Sequence, residues 1–265
     1  TISTGYSLNA VGSYTIYFVS GGLDNQIYFG NSFTGSIDNV SVREVGQDWD
    51  FTSGATLTDI GAKITITPAA GIITQSSVLV VGKQYKLTYE ITESISGGLR
   101  FDSAVDNTMV TSVGVHTKYF EADNTTVVFV RLSSSNNDVT ITNISVKEVG
   151  QNWTLGTDWG IGENKAIRIG TASSGLTQSG TFSLGKKFKL NFTITDWTTG
   201  NLQGYFYGGG GGDTFFNISN IGNGTFTFET TTTANRTNIA FYAFGSFDGS
   251  VTNISVIEIT DDTNL

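Results

Sequence analysis

Cysteine is absent from the 265 residues, and proline, histidine and methionine occur once each. Without cysteine there is no Cys/His zinc site, no thiol nucleophile and no disulfide framework, so every domain must be held by core burial alone. The lone histidine, His116, would have to serve any Ser-His-Asp triad. It lies in Gly114-Val115-His116-Thr117, which reads as a solvated turn leading into a strand. Charge is scarce as well: 14% of residues are charged, with a formal net charge of −9. Nucleic acid demands a basic stripe and an anionic membrane surface demands basic clusters, so neither partner fits. No apolar run approaches the ~20 residues that span a bilayer, so no membrane insertion is expected. No signal-peptide pattern is visible. The first residue is Thr1 rather than Met, which reads as a processed product or part of a longer polypeptide. Almost every stretch carries Gly or a Ser/Thr/Asn cluster, which leaves no room for long helices.

What is plentiful points one way. Gly accounts for 33 residues, and Val, Ile, Thr, Phe and Tyr are abundant; the last five suit a pleated, half-buried surface. The expected fold class is all-β. The chain also repeats itself. IDNVSVREVGQDW at 37–49 returns as ITNISVKEVGQNW at 141–153, and VTNISVIEI closes the series at 251–259. Asn39, Asn143 and Asn253 fall in register at spacings of 104 and 110, and Trp49 and Trp153 lie 104 apart. GKQYKLTYEIT at 82–92 matches GKKFKLNFTIT at 185–195 at an offset of 103. The unit therefore opens at Gln-x-Trp and closes at Asn-Val/Ile-Ser-Val. On this frame residues 47–150 form one complete unit, 151–260 another, and 261–265 a tail. Residues 1–46 are the back half of a unit whose front half is missing. A segment below about 40–60 residues buries too little surface to stand alone. An upstream part of a longer chain, or a neighbouring subunit, is expected to complete it.

Within a unit the hydrophobic period is two. Tyr85, Leu87, Tyr89 and Ile91 alternate with polar residues, and Phe188, Leu190, Phe192 and Ile194 do the same. Successive strand side chains point to opposite faces, so one face enters a core and the other meets water. Each inward residue contributes roughly 1.5–3 kcal/mol on full burial. Further strands are expected over 13–19, 26–30, 62–67, 117–121, 126–131, 165–169, 224–229 and 237–243. Many short half-buried strands divided by Gly- and Asn-rich turns predict tandem antiparallel β-sandwiches, jelly-roll-like, of about 105 residues each. The repeated phrase then reads as a closing strand (Val40 and Val42, Ile144 and Val146 inward), a crossover, and a tryptophan anchoring the next core.

The search for chemistry is short. Glu90, Glu93, Asp102, Glu121 and Asp123 are acids of the kind a glycosidase uses in pairs, but alternating acids on strands are ordinarily the wet face. No enzymatic activity is expected. The Gly208–Gly212 run lacks the Lys-Ser/Thr and helix of a phosphate loop and reads as a flexible inter-strand loop. No cofactor is implied. A structural calcium ion would find oxygen ligands in a loop such as Ser135-Asn136-Asn137-Asp138, although Asn and Asp populate turns for backbone reasons alone. The recurring Asn-x-Ser/Thr sequons follow from the recurring phrase. Sugars stack on exposed rings beside Asn, Gln and Asp. Aromatics that repeat between units are most economically core, so the unrepeated Trp197, Tyr205 and Tyr207 are the candidate glycan site, with packing as the competing role.

The segments FTGSIDNVSVREV at 33–45, WTLGTDWGIGENKAI at 153–167 and GKQYKLTYEI at 82–91 resemble closing, opening and middle strands of one family. These are the β-sandwich repeats of tail-fibre and other structural proteins of tailed bacteriophages, similar in turn to carbohydrate-binding-module or galactose-binding-like jelly rolls. The resemblance covers nearly the whole chain. Unit 47–150 departs from it, because Trp49-Asp50-Phe51-Thr52 has no second tryptophan matching Trp159. The resemblance implies an exposed virion protein: a fibre, an appendage or a capsid decoration. Its partners would be other copies of itself or other virion proteins, with host-surface glycan as the ligand of an adhesion module.

Overall fold

The structure, a computed structural model, describes residues 10–18, 29–30, 34–46, 48–52, 54–66 and 71–260. Alternation fixes the faces as expected: Tyr85, Leu87, Tyr89 and Ile91 are buried, as are Phe188, Leu190, Phe192 and Ile194. Among the described residues there are seventeen strands and no helix. The chain divides into two compact units, Thr1–Val80 with Thr88–His116 and Asn124–Ile144, and Val81–Leu87 with Thr117–Asp123 and Ser145–Leu265.

The first nine strands are β1 (Asp50–Phe51), β2 (Ala55–Thr58), β3 (Gly61–Thr65), β4 (Ile72–Gln75), β5 (Gln84–Ser96), β6 (Leu99–Phe101), β7 (Gly114–Glu121), β8 (Val127–Arg131) and β9 (Asp138–Glu148). They form two sheets, ordered β1-β4-β8-β6 and β2-β3-β9-β5-β7. Ile73, Phe101 and Phe129 from one sheet and Ile64, Tyr89, Ile91, Val139 and Ile141 from the other are buried. Trp49 packs its ring 6.0 Å from that of Phe129. Buried Asn137 ties the turns together: its Nδ2 donates to the Ile64 carbonyl at 2.9 Å, and its Oδ1 accepts from Gly98 N at 3.0 Å.

The remaining strands are β10 (Trp153–Leu155), β11 (Trp159–Gly162), β12 (Lys165–Arg168), β13 (Ser174–Phe182), β14 (Lys187–Gly208), β15 (Gly211–Ser219), β16 (Gly224–Thr231) and β17 (Arg236–Ile259). β14 and β17 are 22 and 24 residues long, and their partners change half-way. Lys187–Ile194 of β14 pairs with β16 and with the end of β17, which itself pairs with β12. Asn201–Tyr207 of β14 pairs with β15 and with the start of β17, which itself pairs with β13. The two halves face one another across a single core, where Phe192 meets Phe216 at 4.9 Å and Phe241 at 5.1 Å. Strands that turn a sandwich corner do so through bulges. Here the β14–β17 register breaks between Thr195, Thr199 and Asn201. At that corner Gly200 has φ +94, and a Cβ on it would lie 2.3 Å from the Phe247 backbone, so only glycine fits.

The recurring phrase carries a backbone device that period-counting does not show. Asn39, Asn143 and Asn253 all have positive φ, at 52°, 49° and 52°. In β17, Asn253 and Ile254 together oppose Phe192, since Asn191 pairs with Ser255 and Thr193 with Thr252. This is a bulge with its left-handed residue at asparagine, the non-glycine side chain that tolerates αL best. The slip of period therefore falls at the asparagine, ahead of the crossover. A second device recurs three times. Trp49, Trp153 and Trp159 each donate N–H to the carbonyl three residues back, at Gly46, Gly150 and Gly156, over 3.0–3.1 Å. The residue before each tryptophan is left-handed: Asp48 at 66°, Asn152 at 72° and Asp158 at 67°. Such tight turns require φ > 0 at their third position, which Asn and Asp accept.

Several expectations change. Residues 13–18 and 37–45 carry no strand ladder among the described residues, because alternation sets side-chain faces while a ladder needs a partner. Residues 19, 26–28 and the 261–265 tail lie outside the described residues. The glycine run is a tight hairpin instead of a flexible loop: Gly208 pairs with Gly211, and Gly209 and Gly210 have φ of 60° and 85°. Two successive positive φ values match the right-handed strand twist in a two-residue connection. His116 lies in β7 instead of a solvated turn, its ring 5.4 Å from that of Tyr89 and its Nε2 2.6 Å from the Ser112 carbonyl.

Candidate functional site

The outer face formed by β13, the first half of β17, the second half of β14 and β15 is the candidate site. Inward residues there are Leu202 and Phe206 on β14 and Ile239, Phe241 and Ala243 on β17, all buried. Period two then turns Gln203, Tyr205 and Tyr207 outward on β14 and Asn238, Ala240, Tyr242 and Phe244 outward on β17. Cross-strand pairing sets Gln203 opposite Tyr242, Tyr205 opposite Ala240, and Tyr207 opposite Asn238. Four rings run in a continuous row: Tyr207 and Tyr205 at 5.8 Å, Tyr205 and Tyr242 at 6.5 Å, Tyr242 and Phe244 at 4.9 Å. The three tyrosines are half-buried and Phe244 is exposed.

Two of the rings pass close over glycines. A Cβ on Gly175, which pairs with Tyr242, would sit 3.3 Å from the Tyr242 ring, and one on Gly212 would sit 3.5 Å from the Tyr205 ring. Ala240 is fully buried on this face, covered by the surrounding side chains. Neighbouring rings are tilted by 53–62° to one another, so the row offers ring faces and edges in alternating attitudes. Burial first, then the phenols of Tyr207 and Tyr242, push the Tyr205 hydroxyl above the ordinary tyrosine range.

Hydrogen-bonding groups border the rings. Asn238 accepts from Ser179 Oγ at 3.2 Å and donates to Thr237 Oγ1 at 2.8 Å, while Gln203, Thr214 and Asn217 stand among the rings or beside them. The register places no Asp, Glu, Lys or Arg at the outward positions of these strands. The opposite outer face of the same unit is different: Lys187–Glu229 at 2.6 Å and Lys186–Glu258 at 2.8 Å are ion pairs on it or at its edge.

A buried pair anchors the end of the platform. Arg236 and Asp213 are each 5% exposed and meet bidentately, Nε–Oδ2 at 2.7 Å and Nη2–Oδ1 at 3.1 Å. Arg236 Nη1 also donates to the Gly208 carbonyl at 2.8 Å, and Thr233 donates twice to Asp213. The starts of β15 and β17 are thereby tied to the hairpin that follows Tyr207. The Arg236 hydrogen bonds, opposed by burial and helped by Thr233, hold the Asp213 carboxyl at about 2, well below its usual range.

Of the sequence candidates, Tyr205 and Tyr207 come together and Trp197 does not join them. Trp197 packs against the core beside the β14 corner, its Nε1 3.4 Å from the Gly200 carbonyl and its N–H donated to Asn223 Oδ1 at 2.9 Å. It plugs the bend. Tyr242 and Phe244 were missing from the sequence candidates. Their signal was present in the alternation Phe241-Tyr242-Ala243-Phe244, whose outward rings match Leu132 and Ser134 on the phrase-based frame. The acids do not converge. Glu90 accepts from Asn143, Glu93 pairs with Lys63, Asp102 with Arg100, and Glu121 accepts from Gln84. In the loop considered for calcium, Asn137 is the buried clamp and Asp138 pairs with Lys63 at 2.8 Å.

No protein-family model matches the chain, and no curated protein matches it. Among solved structures, the chain is similar to the N-terminal CBM22-1-CBM22-2 tandem domain of Paenibacillus barcinonensis Xyn10C. That likeness has a TM-score of 0.31 and 8% identity, and covers 81% of this chain and 94% of that one. An anti-sigma factor domain-containing protein is matched with a TM-score of 0.20 and 6% identity, over 73% of this chain and 80% of that one. Neither likeness carries an argument about function.

Proposed function

We propose that the chain is an adhesion module that binds glycan on the outer aromatic face of its second unit. The carrying observation is the row Tyr207–Tyr205–Tyr242–Phe244, four rings in successive contact on one outer sheet face among Gln, Asn, Thr and Ser. Sugar rings present C–H faces that stack on aromatic π faces and hydroxyls that match amide and hydroxyl partners. A partly exposed aromatic row rimmed by such groups is what ligand recognition requires. Affinity electrophoresis of the full chain through gels containing soluble polysaccharides, paired with a glycan array, tests this reading. Retardation on at least one polysaccharide, reduced by Tyr205→Ala and by Tyr242→Ala, supports it. Unretarded migration with a flat array response overturns it.

A second reading rests on a different observation: the same Gly-Gln-Asp/Asn-Trp seam occurs at 46–49 and 150–153. A chain made by repeating one unit suits an extended fibre, an appendage or a capsid decoration, whose partners are other copies or other virion proteins. Antibody raised to the chain would decorate tailed-phage particles of its source in immunogold microscopy. Bare particles would end this reading.

A further inference from the structure

The aromatic face is uncharged across the second unit. On β10, β13, β17, β14 and β15 the outward positions set by the register hold only Thr, Ser, Asn, Gln, Gly, Ala, Tyr and Phe. Arg236 and Asp213, at the end of the face, are each 5% exposed and neutralise one another. A carboxylated or sulfated glycan would give up its hydration here with no cation to replace it. The chain's net charge of −9 would also repel a polyanion on approach. A glycan amine would find no carboxylate.

The row also has a direction and a twist. Its rings occupy successive levels of the β14–β17 ladder: Tyr207 opposite Asn238, Tyr205 opposite Ala240, Tyr242 opposite Gln203, and Phe244 opposite Asn201. The row thus advances along the strands and crosses from β14 to β17 half-way. Its centroid steps of 5.8, 6.5 and 4.9 Å are each close to the advance of one pyranose in an extended chain. Neighbouring ring planes are inclined by 53°, 55° and 62°, so no single flat surface lies against all four. A crystalline polysaccharide is such a surface. A lone chain can turn about its glycosidic bonds and follow the rings. Amides stand on both sides of this path. Asn238 flanks Tyr207 from β17, oriented by Ser179 and Thr237, and Gln203 flanks Tyr242 from β14.

Resting on the glycan reading above, we infer that the ligand is a single soluble, uncharged, linear glycan chain. It lies along the strands and is held over four consecutive sugar residues, one per ring.

Affinity electrophoresis of the full chain tests the charge argument with two sets of soluble polysaccharides. The neutral set is hydroxyethylcellulose, arabinoxylan, galactomannan and dextran; the acidic set is carboxymethylcellulose, alginate and polygalacturonate. Retardation by at least one neutral polymer and by no acidic one is expected, with uncharged hits on the glycan array. Equal or stronger retardation by an acidic polymer overturns the inference and leaves the adhesion reading standing. No retardation in either set, with a flat array, removes both. Oligosaccharides of two to six residues, cut from the polymer that retards the chain, are then titrated by calorimetry. Affinity should rise about threefold or more per residue up to four and level off beyond. Phe244→Ala should move that plateau to three residues, and Tyr205→Ala, within the row, should weaken binding of every longer ligand. Affinity already level at two residues, or a plateau that Phe244→Ala does not move, overturns the four-ring assignment. Depletion onto microcrystalline cellulose without retardation by hydroxyethylcellulose overturns the single-chain geometry.

Discussion

Replacing the recurring asparagines one at a time by valine and by glycine tests how much of the closing strand's geometry is built into its backbone. At Asn253 the chain is fixed at φ 52° by flanking pairs to β14. An L-residue other than Asn, Asp or Gly pays roughly 1–2 kcal/mol in the left-handed region, and a β-branched residue sits at the upper end. The side chain adds little, because Asn253 Nδ2 is 3.5 Å from Thr193 Oγ1. Asn253→Val should therefore cost about 2 kcal/mol, or roughly 8 °C or more in a domain of about a hundred residues. Asn253→Gly should stay within about 0.5 kcal/mol, since relief of the left-handed strain offsets the added freedom of the unfolded chain. Asn143→Val should cost slightly more than Asn253→Val, because Asn143 Nδ2 also donates to Glu90 at 2.7 Å. Asn39→Val should cost less than either, because residues 37–45 carry no strand ladder among the described residues. Urea unfolding followed by tryptophan fluorescence reads all three, with Trp49 in the first unit and Trp153, Trp159 and Trp197 in the second. Equal stability of Asn253→Val and Asn253→Gly would refute the bulge argument.

Phe192→Ala removes a fully buried ring that contacts Phe216, Phe226 and Phe241 within 5.5 Å; a loss of about 3–5 kcal/mol is expected in urea unfolding. Gly175→Val should lift the Tyr242 ring, which a Cβ would meet at 3.3 Å, and weaken glycan retardation several-fold while every aromatic remains. Asp213 is depressed from 3.8 to about 2 when folded, so its contribution is complete above the unfolded value and disappears as pH falls through the folded one. The melting temperature should therefore drop between pH 4 and pH 2, and Asp213→Asn should be less stable at neutral pH but flatter across that window.

Strand faces were legible wherever a run was long and its apolar residues alternated, as at 85–91 and 188–194, because burial selects every second side chain. The repeat frame was legible because whole phrases recur. The corner in β14 was not: Thr195–Gly200 shows no alternation to extrapolate, and its path is set by Gly200 approaching the Phe247 backbone across the core. In the sequence Trp197 therefore looks like Tyr205 and Tyr207. An unrepeated aromatic on a strand's wet face and one plugging a bend look alike until the bend is located. The form of the glycine run is hidden for a related reason. Glycines carry no side chain to alternate, so a tight hairpin and a slack loop have the same pattern. The left-handed asparagines are not legible in the sequence, because their sequon spelling concerns the side chain, while the constraint lies in φ.

Since β14 and β17 each serve both layers of the second unit, neither layer owns a complete set of strands. Removing β14 from one layer would strip its inner neighbour from the other, so the layers cannot come apart in succession. Amide exchange on β10, β13 and β15 should accordingly share one opening free energy with exchange on β11, β12 and β16. A sandwich whose layers shared no strand could open one face at a time. This one is committed to opening as a whole, and its aromatic platform persists for as long as the opposite face does.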